Sequence, residues 1–451
     1  MAKQRRVFVC RACQTTSVSW TGRCTGCGEW ATLEESVPST LTPRPAAAAV
    51  AAQSLLSVDR ATSVPIPTGL SEVDRVLGGG IVPGSVALLS GEPGIGKSTL
   101  SLQIIQSVAA SGGTVLLVTG EEAPSQVAGR ADRLGPIPPT VSVLDVVDVH
   151  AVTAAIAEIG PQLVVVDSIQ TMHDADLDGA PGSVSQVRQV AGHLVAAAKR
   201  HGCTVMLIGH VTKDGTLAGP RQLEHVVDTV LSFEGDRNAD LRRLRAAKHR
   251  FGATTEVGLF EMTFAGLMPV HDPSARFLAD RLTDVAGSVV VPILDGHRPL
   301  MVEVQTLVQS RAEASSQRTT HGIGAARLKL ALAVLAGRAG VDLGPYDVFA
   351  SVAGGVKTDD PGLDLGLALA LASGASGEPI APSVVAIGEV GLAGEVRAVP
   401  RMDLRLHEAY RLGYRTAIVP ASAADGPAGL RLIRCSRLDL AVAAIARARA
   451  A

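Results

Sequence analysis

Short, unbroken apolar runs alternate with stretches of helical periodicity through the middle of the chain. Val86-Ala-Leu-Leu-Ser, Thr114-Val-Leu-Leu-Val-Thr, Leu163-Val-Val-Val-Asp and Thr204-Val-Met-Leu-Ile-Gly are too short for helices and rich in branched side chains. Such runs predict strands buried on both faces, as in a parallel sheet. Helical patterns fall between them, at residues 98–110 and 185–200. That alternation predicts right-handed βαβ units and an α/β domain over residues 61–275.

The pattern changes from residue 285 to residue 451. A strand-like Met301-Val-Glu-Val-Gln-Thr-Leu-Val leads into a helical Leu328-Lys-Leu-Ala-Leu-Ala-Val-Leu. Val348-Phe-Ala-Ser-Val, a Gly/Asp-rich turn, an apolar stretch at 363–372, the strand Val384-Val-Ala-Ile-Gly and a basic helix near 402–411 follow. A second domain of α+β or α/β type is expected there. At the other end, residues 1–35 carry a cysteine cluster, and the Pro/Ala-rich residues 36–60 read as a flexible linker with no core of their own.

Composition narrows the function. The 451 residues are 47% hydrophobic but only 3% aromatic, so the cores must be aliphatic and a base-stacking platform is disfavoured. Lys and Arg number 41 against 43 Asp and Glu, so binding to a polyanion would have to use local patches. No apolar signal-peptide core follows the basic first residues, and no run of 18 apolar residues occurs. Four of six cysteines lie within the first 30 residues, a poor disulfide framework. A cytoplasmic, reducing location with no membrane partner is expected.

Gly91-Glu92-Pro93-Gly94-Ile95-Gly96-Lys97-Ser98-Thr99 fits the phosphate-binding pattern G-x-x-x-x-G-K-[ST] between a strand and a helix. Glycines let backbone N–H groups turn toward phosphates, and the following helix adds the positive end of its dipole. Lys97 is expected at the terminal phosphates of ATP, and Ser98 at Mg²⁺. Asp167, ending an apolar strand, is expected to face the same Mg²⁺ through a water.

Hydrolysis also needs a group to activate water. Glu121 in Thr119-Gly-Glu-Glu is the first choice and Glu122 the second; a solvated pair of acids at a helix start is the simpler reading. His210, ending the fourth run, suits a sensor of the terminal phosphate or a plain strand-end histidine.

Cys10-Arg-Ala-Cys13 and Cys24-Thr-Gly-Cys27 form two C-x-x-C knuckles, the donor set of a structural Zn²⁺ site rather than a redox or iron centre. Lys3, Arg5, Arg6, Arg11 and Arg23 surround it and read equally as contacts to DNA or a partner, or as solubilising charge. Cys203 and Cys435 read as small core residues.

These features together resemble the bacterial RadA/Sms family of RecA-like recombination proteins, over nearly the whole chain. The cysteine cluster, the P-loop, Thr119-Gly-Glu-Glu, Gly209-His-Val-Thr-Lys-Asp-Gly and Ala218-Gly-Pro-Arg follow the family pattern. Its Lys-Asn-Arg-Phe-Gly signature stands here as Lys248-His249-Arg250-Phe251-Gly252, with both cations kept. The resemblance implies a homo-hexameric ATPase that binds single-stranded DNA and drives branch migration of recombination intermediates, with a recombinase of the RecA type as functional partner.

On that reading Lys213, Arg221 and Arg188 meet DNA phosphates. Lys248 and Arg250, in the cationic run 242–250, reach a neighbour's ATP, contact DNA, or merely solvate an exposed edge strand.

The C-terminal block resembles a Lon-protease-like domain. Its expected nucleophile stretch reads Thr358-Asp-Asp-Pro-Gly-Leu-Asp-Leu-Gly, without serine, and no lysine follows Lys357. The domain is therefore expected to be a catalytically empty scaffold that presents Arg397, Arg401, Arg405 and Arg411 to DNA. An ATP-dependent protease and a non-translocating nucleotide switch are the competing readings.

Overall fold

The computed structural model describes residues 7–12, 15–36, 54–57, 63–210, 223–235, 241–310 and 316–449. The chain divides into two compact units, Met1–Arg60 and Ala61–Ala451. The first is a small antiparallel sheet with β1 (Val7–Cys10) between β2 (Thr16–Ser17) and β3 (Leu33–Ser36). Most of the expected linker, 36–60, lies outside the described residues.

The second unit opens with α1 (Ser71–Val76), β4 (Val86–Gly91), α2 (Lys97–Ala110), β5 (Val115–Thr119) and α3 (Pro124–Leu134). It continues through β6 (Val141–Asp145), α4 (Val149–Ile159), β7 (Leu163–Asp167), α5 (Val184–His201) and β8 (Thr204–His210). A run of strands follows: β9 (Thr229–Gly235), β10 (Leu241–His249), β11 (Val257–Thr263) and β12 (Gly266–Pro269). All nine strands from β4 to β12 form one sheet in the order β12-β11-β10-β9-β4-β8-β7-β5-β6. The part from β9 to β6 is parallel, and β10, β11 and β12 extend it antiparallel.

Each apolar run in the sequence is a central strand here, covered on both faces. Alternate side chains face opposite layers. Leu89, Leu163, Val165 and Ile208 pack toward α1 and α2, whereas Leu88, Val164, Val166 and Leu207 pack toward α4 and α5. Each fully buried aliphatic side chain of this kind stabilises the fold by ~1.5–3 kcal/mol.

Past α6 (Pro273–Leu278), a second sheet is built from β13 (Ser288–Asp295), β14 (Arg298–Ser310), β15 (Arg318–His321) and β16 (Tyr346–Val352). The helices α7 (Ala325–Ala339) and α8 (Leu363–Ser376) are followed by β17 (Val384–Ala386), the small hairpin β18 (Glu389–Val390) and β19 (Val396–Arg397), and α9 (Met402–Arg411). The chain closes with β20 (Thr416–Pro420), β21 (Arg431–Cys435) and α10 (Leu438–Arg449). The sheet order is β15-β16-β14-β13-β17-β20-β21, mixed in direction. Val289 and Val291 face the α7, α8 and α10 layer, while Val290 and Met301 face α9.

The two sheets share a core. Val257 and Leu259 of β11 are 2% and 1% exposed and belong to the same apolar cluster as β13 and β14. Beside them Glu72 of α1 forms a buried ion pair with Arg298 of β14 and also accepts the Leu259 N–H at 2.9 Å. Arg298 further donates to the Val257 and Val270 carbonyls at 3.2 and 3.0 Å. The expected boundary between residues 275 and 285 falls inside this one compact unit. No helix among the described residues is long and apolar enough to cross a membrane.

Candidate nucleotide site and zinc ribbon

The phosphate loop sits at the C-terminal end of β4, between β8 and β9. Two glycines there are dictated by space. A Cβ on Gly91 would lie 2.4 Å from the Phe233 carbonyl oxygen. Gly96 takes φ +111°, and a Cβ there would meet Met262 at 2.7 Å. Gly96 is also the N-cap of α2, so the helix begins at Lys97 with its N–H groups facing the loop.

Lys97 is 4% exposed, and its Nζ donates to the Gly91 and Glu92 carbonyls, each at 2.9 Å. Burial lowers its pKa, opposed by the charges of Asp167 and Glu121. Asp167 ends β7 beside the loop and accepts a hydrogen bond from Ser98. Burial raises the Asp167 pKa against that hydrogen bond, and the Glu121 charge adds to the rise. Ser98 and Asp167 are oxygen donors of the type Mg²⁺ takes, and they already touch.

The register puts Thr119 of β5 directly opposite Asp167 of β7. Glu121, two residues on, accepts a short hydrogen bond from the buried Ser168 hydroxyl, and its Oε1 lies 3.4 Å from His210 Nε2. Glu122 turns away into an ion pair with Arg130 of α3, and its carbonyl accepts the Thr119 hydroxyl at 2.6 Å. Ser98, Thr119, Glu121, Glu122, Arg130 and Asp167 line one small cavity. Ser168 and Arg130 escaped the sequence reading: Ser168 has no motif of its own, and Arg130 is one cation among several on an amphipathic helix.

Lys248 and Arg250 lie elsewhere. Strand β10 is flanked by β9 and, over Leu241–Arg245, by β11, so the exposed-edge reading fails for that part of the cationic run, while Lys248 and His249 pair with β9 alone. Lys248 pairs with Val230 and His249 with Thr229, at the level of Ala87 and Leu88, whereas the phosphate loop starts at Gly91. At ~3.3 Å per residue that offset is about 10 Å for Lys248 and about 13 Å for His249, toward the opposite end of the sheet. Lys248 donates to the Glu224 and Val227 carbonyls at 2.5 and 2.8 Å, and Arg250 lies 3.6 Å from Asp228. His249 bridges Thr229 Oγ1 at 2.9 Å and the Leu77 carbonyl at 3.2 Å, and burial lowers its pKa. Its Nε2 is therefore the protonated nitrogen, donating to the carbonyl. Arg242 is 6% exposed and donates to the Ile95 carbonyl of the phosphate loop at 3.3 Å.

Arg188 is exposed on α5. Lys213 and Arg221 lie outside the described residues, as do Lys3, Arg5, Arg6 and Cys13.

In the first unit the Sγ atoms of Cys10, Cys24 and Cys27 all lie within 4.8 Å of one another, and those of Cys10 and Cys27 are 3.7 Å apart. Tetrahedral Zn–S bonds of ~2.3 Å place sulfurs ~3.8 Å apart. The gathered thiols thus fit Zn²⁺.

The C-terminal arginines divide by environment. Arg405 is 1% exposed and pairs with Asp360 at 2.7 and 3.0 Å, donating also to the Pro292 and Pro400 carbonyls. Its expected role at DNA is corrected: it braces the Thr358–Gly362 turn from inside. Arg411 pairs with Asp272 and Glu408, and Arg397 with Glu395. Arg401 is exposed in a left-handed N-cap conformation. A cleft of about 400 Å³ adjoins this turn, lined by Arg243, Arg245, Lys357, Thr358, Asp359 and Asp360 among others. It contains no serine or cysteine, and the Thr358 hydroxyl accepts the Asp360 N–H at 3.1 Å.

Comparison with known proteins agrees with this arrangement. Residues 60–216 match the AAA domain family, and residues 8–35 match the rubredoxin metal binding domain. The DNA repair protein RadA of Bacillus subtilis is 44% identical over 443 residues, covering 96% of this chain and 97% of its own. Its namesake from Mycobacterium tuberculosis is 45% identical over 448 residues, covering 98% and 93%. That of Halalkalibacterium halodurans is 43% identical over 426 residues, covering 93% of each. Identity at this level along nearly the full length means that the chain belongs to the RadA family of DNA repair proteins.

Proposed function

We propose that the chain is an ATP-hydrolysing DNA repair motor that binds single-stranded DNA and drives branch migration of recombination intermediates as a homo-hexameric ring. The observation that carries the ATPase reading is the convergence of Lys97, Ser98, Asp167, Glu121 and His210 at the ends of β4, β5, β7 and β8. DNA and ring assembly rest on family membership.

In this reading the loop Gly91–Thr99 holds the phosphates, and Lys97 exchanges its two carbonyl partners for the terminal phosphates. Ser98 and Asp167 would hold Mg²⁺, which when bound neutralises charge on the phosphate oxygens. Glu121 orients the attacking water and takes its proton, held in place by Ser168. His210 reports the state of that carboxylate to the segment after β8, where Lys213 and Arg221 meet DNA together with Arg188. Lys248 and Arg250, too far along the sheet for their own loop, serve the ATP of a neighbouring subunit. Cys10, Cys13, Cys24 and Cys27 hold structural Zn²⁺. The C-terminal sheet is a Lon-like scaffold without protease chemistry. A RecA-type recombinase in the cytoplasm supplies the branched DNA.

A labelled three-strand intermediate tests this directly. The wild-type chain should move the branch only with ATP, and Lys97→Ala should not move it at all while still retaining single strands in a gel shift. Casein cleavage, or ATP-independent movement, would contradict the reading.

A further inference from the structure

Away from the nucleotide site, three side chains from separate segments meet at one point. His150 on the first turn of α4, Asp174 in the connection from β7 to α5, and His193 on α5 hold ligand atoms within 4.8 Å of one another. His150 Nε2 stands 3.1 Å from Asp174 Oδ1, and His193 Nε2 stands 3.0 Å from Asp174 Oδ2. A second carboxylate, Asp176, comes within 3.5 Å of His150 Nε2.

Asp174 is 3% exposed, whereas the two imidazoles are partly open, so the point is reachable from solvent on one side. Its backbone is fixed independently. Gln186 accepts the Asp174 N–H at 2.8 Å and donates to its carbonyl at 3.1 Å, and the Asp176 N–H donates to Oδ1 at 3.0 Å. Next to it, the His173 carbonyl accepts the Val149 N–H at 3.0 Å, which seats α4 against the same loop. The carboxylate is thus held while both rings turn the same nitrogen toward it.

Ligands bound to one ion at ~2.0–2.1 Å in a tetrahedron stand ~3.3–3.4 Å from each other. His150 and His193 approach the two different oxygens of Asp174 at 3.1 and 3.0 Å, and all three ligand atoms lie within 4.8 Å of one another, so small ring rotations bring them to that spacing. Two imidazoles with one carboxylate suit Zn²⁺, Co²⁺ or Ni²⁺ rather than Mg²⁺ or Ca²⁺, which take all-oxygen shells.

We propose that His150, Asp174 and His193, with Asp176 or water completing the shell, form a binding site for a zinc-class divalent ion, distinct from the cysteine ribbon. The ion pins α4, α5 and the loop that begins just after Asp167 and Ser168. It acts as a staple on that loop. The competing arrangement is a pair of imidazole N–H groups donating to one carboxylate with no ion.

The decisive comparison uses the full-length chain without an affinity tag, dialysed against micromolar Zn²⁺. Elemental analysis should find two zinc ions per chain in wild type and one in His150→Gln/His193→Gln. Glutamine keeps an N–H donor for Asp174 but is a poor zinc ligand, so hydrogen bonding survives while the ion is lost. Co²⁺ added to chain that carries only its thiolate-bound zinc, before the micromolar Zn²⁺ is supplied, should give visible d–d bands without thiolate charge transfer, and should raise the melting temperature of wild type only. Should the double variant not fold, each single Gln variant should weaken the second Zn²⁺ at least tenfold. One zinc per chain in both proteins, or equal Co²⁺ shifts in both, overturns the proposal in favour of the hydrogen-bonded clamp.

Discussion

His210 Nε2 lies 3.4 Å from Glu121 Oε1, reaching across the strand that carries Asp167. The two residues end β8 and follow β5, which are not neighbours, so the contact closes over the end of β7. Glu121 and the last residue of β8 are thus in direct contact, with no intervening side chain between them.

Glu121→Gln keeps the size of the side chain but removes the carboxylate proposed to take the proton of the attacking water. ATP turnover should fall by about 10²–10⁴-fold while nucleotide binding persists. Glu122→Gln should cost far less, because Glu122 is turned toward Arg130. Phosphate release and fluorescent-nucleotide titration on both variants separate the two carboxylates.

The placement of Lys248 and Arg250 predicts complementation between subunits. Lys97→Ala and Lys248→Ala/Arg250→Ala chains should each be inactive alone. Mixed, they should regain part of the wild-type rate, because some interfaces then pair an intact loop with intact cations. A mixture no faster than its components places both cations outside the reaction.

Removing Arg298 leaves the buried Glu72 carboxylate with only the half-exposed Arg75, 3.6 Å away, as counter-ion. Arg298→Met should destabilise the second unit by about 3–5 kcal/mol. Glu72→Gln combined with Arg298→Met should recover much of that loss. Urea unfolding followed by far-UV circular dichroism reads both.

Asp272 caps α6 by accepting the Ala275 N–H at 2.9 Å, and Arg411 lies 3.0 Å from its other oxygen. The Arg411 hydrogen bond is the largest cause holding the Asp272 pKa below its ordinary 3.8. A depressed carboxylate adds stability above its unfolded pKa and loses it as pH falls through the folded value. Both side chains are well exposed, so Asp272→Asn should cost only about 0.5–1 kcal/mol at pH 7. The difference from wild type should shrink below pH 3.8 and then vanish, as denaturant titrations across that range will show.

The strands named from apolar runs were legible because they are covered on both faces, so composition alone marks them. Helices 98–110 and 185–200 appear within one residue of α2 and α5 at each end. Harder to read were β9 and β11, in which polar or small residues interrupt the run, and β6, whose side chains are half exposed at the sheet edge. The phosphate loop was legible because phosphate binding constrains spacing along the chain. Ser168, Arg130 and the His150–Asp174–His193 cluster were not, since their distances are set by sheet order and helix packing. Arg405 misled for a related reason: an arginine on a basic helix looks solvated until a carboxylate is found beneath it.

The shared core has a consequence for any attempt to trim the chain. A break between Leu278 and Ser288 would strip the cover from Val257 and Leu259 and leave the Glu72 carboxylate facing water beside a raw apolar flank. Such a fragment would carry every phosphate-loop residue and still be sticky. The C-terminal sheet is thus the lid on the nucleotide-binding sheet's apolar flank, and cutting it away would trade a nucleotide site for an aggregation-prone surface.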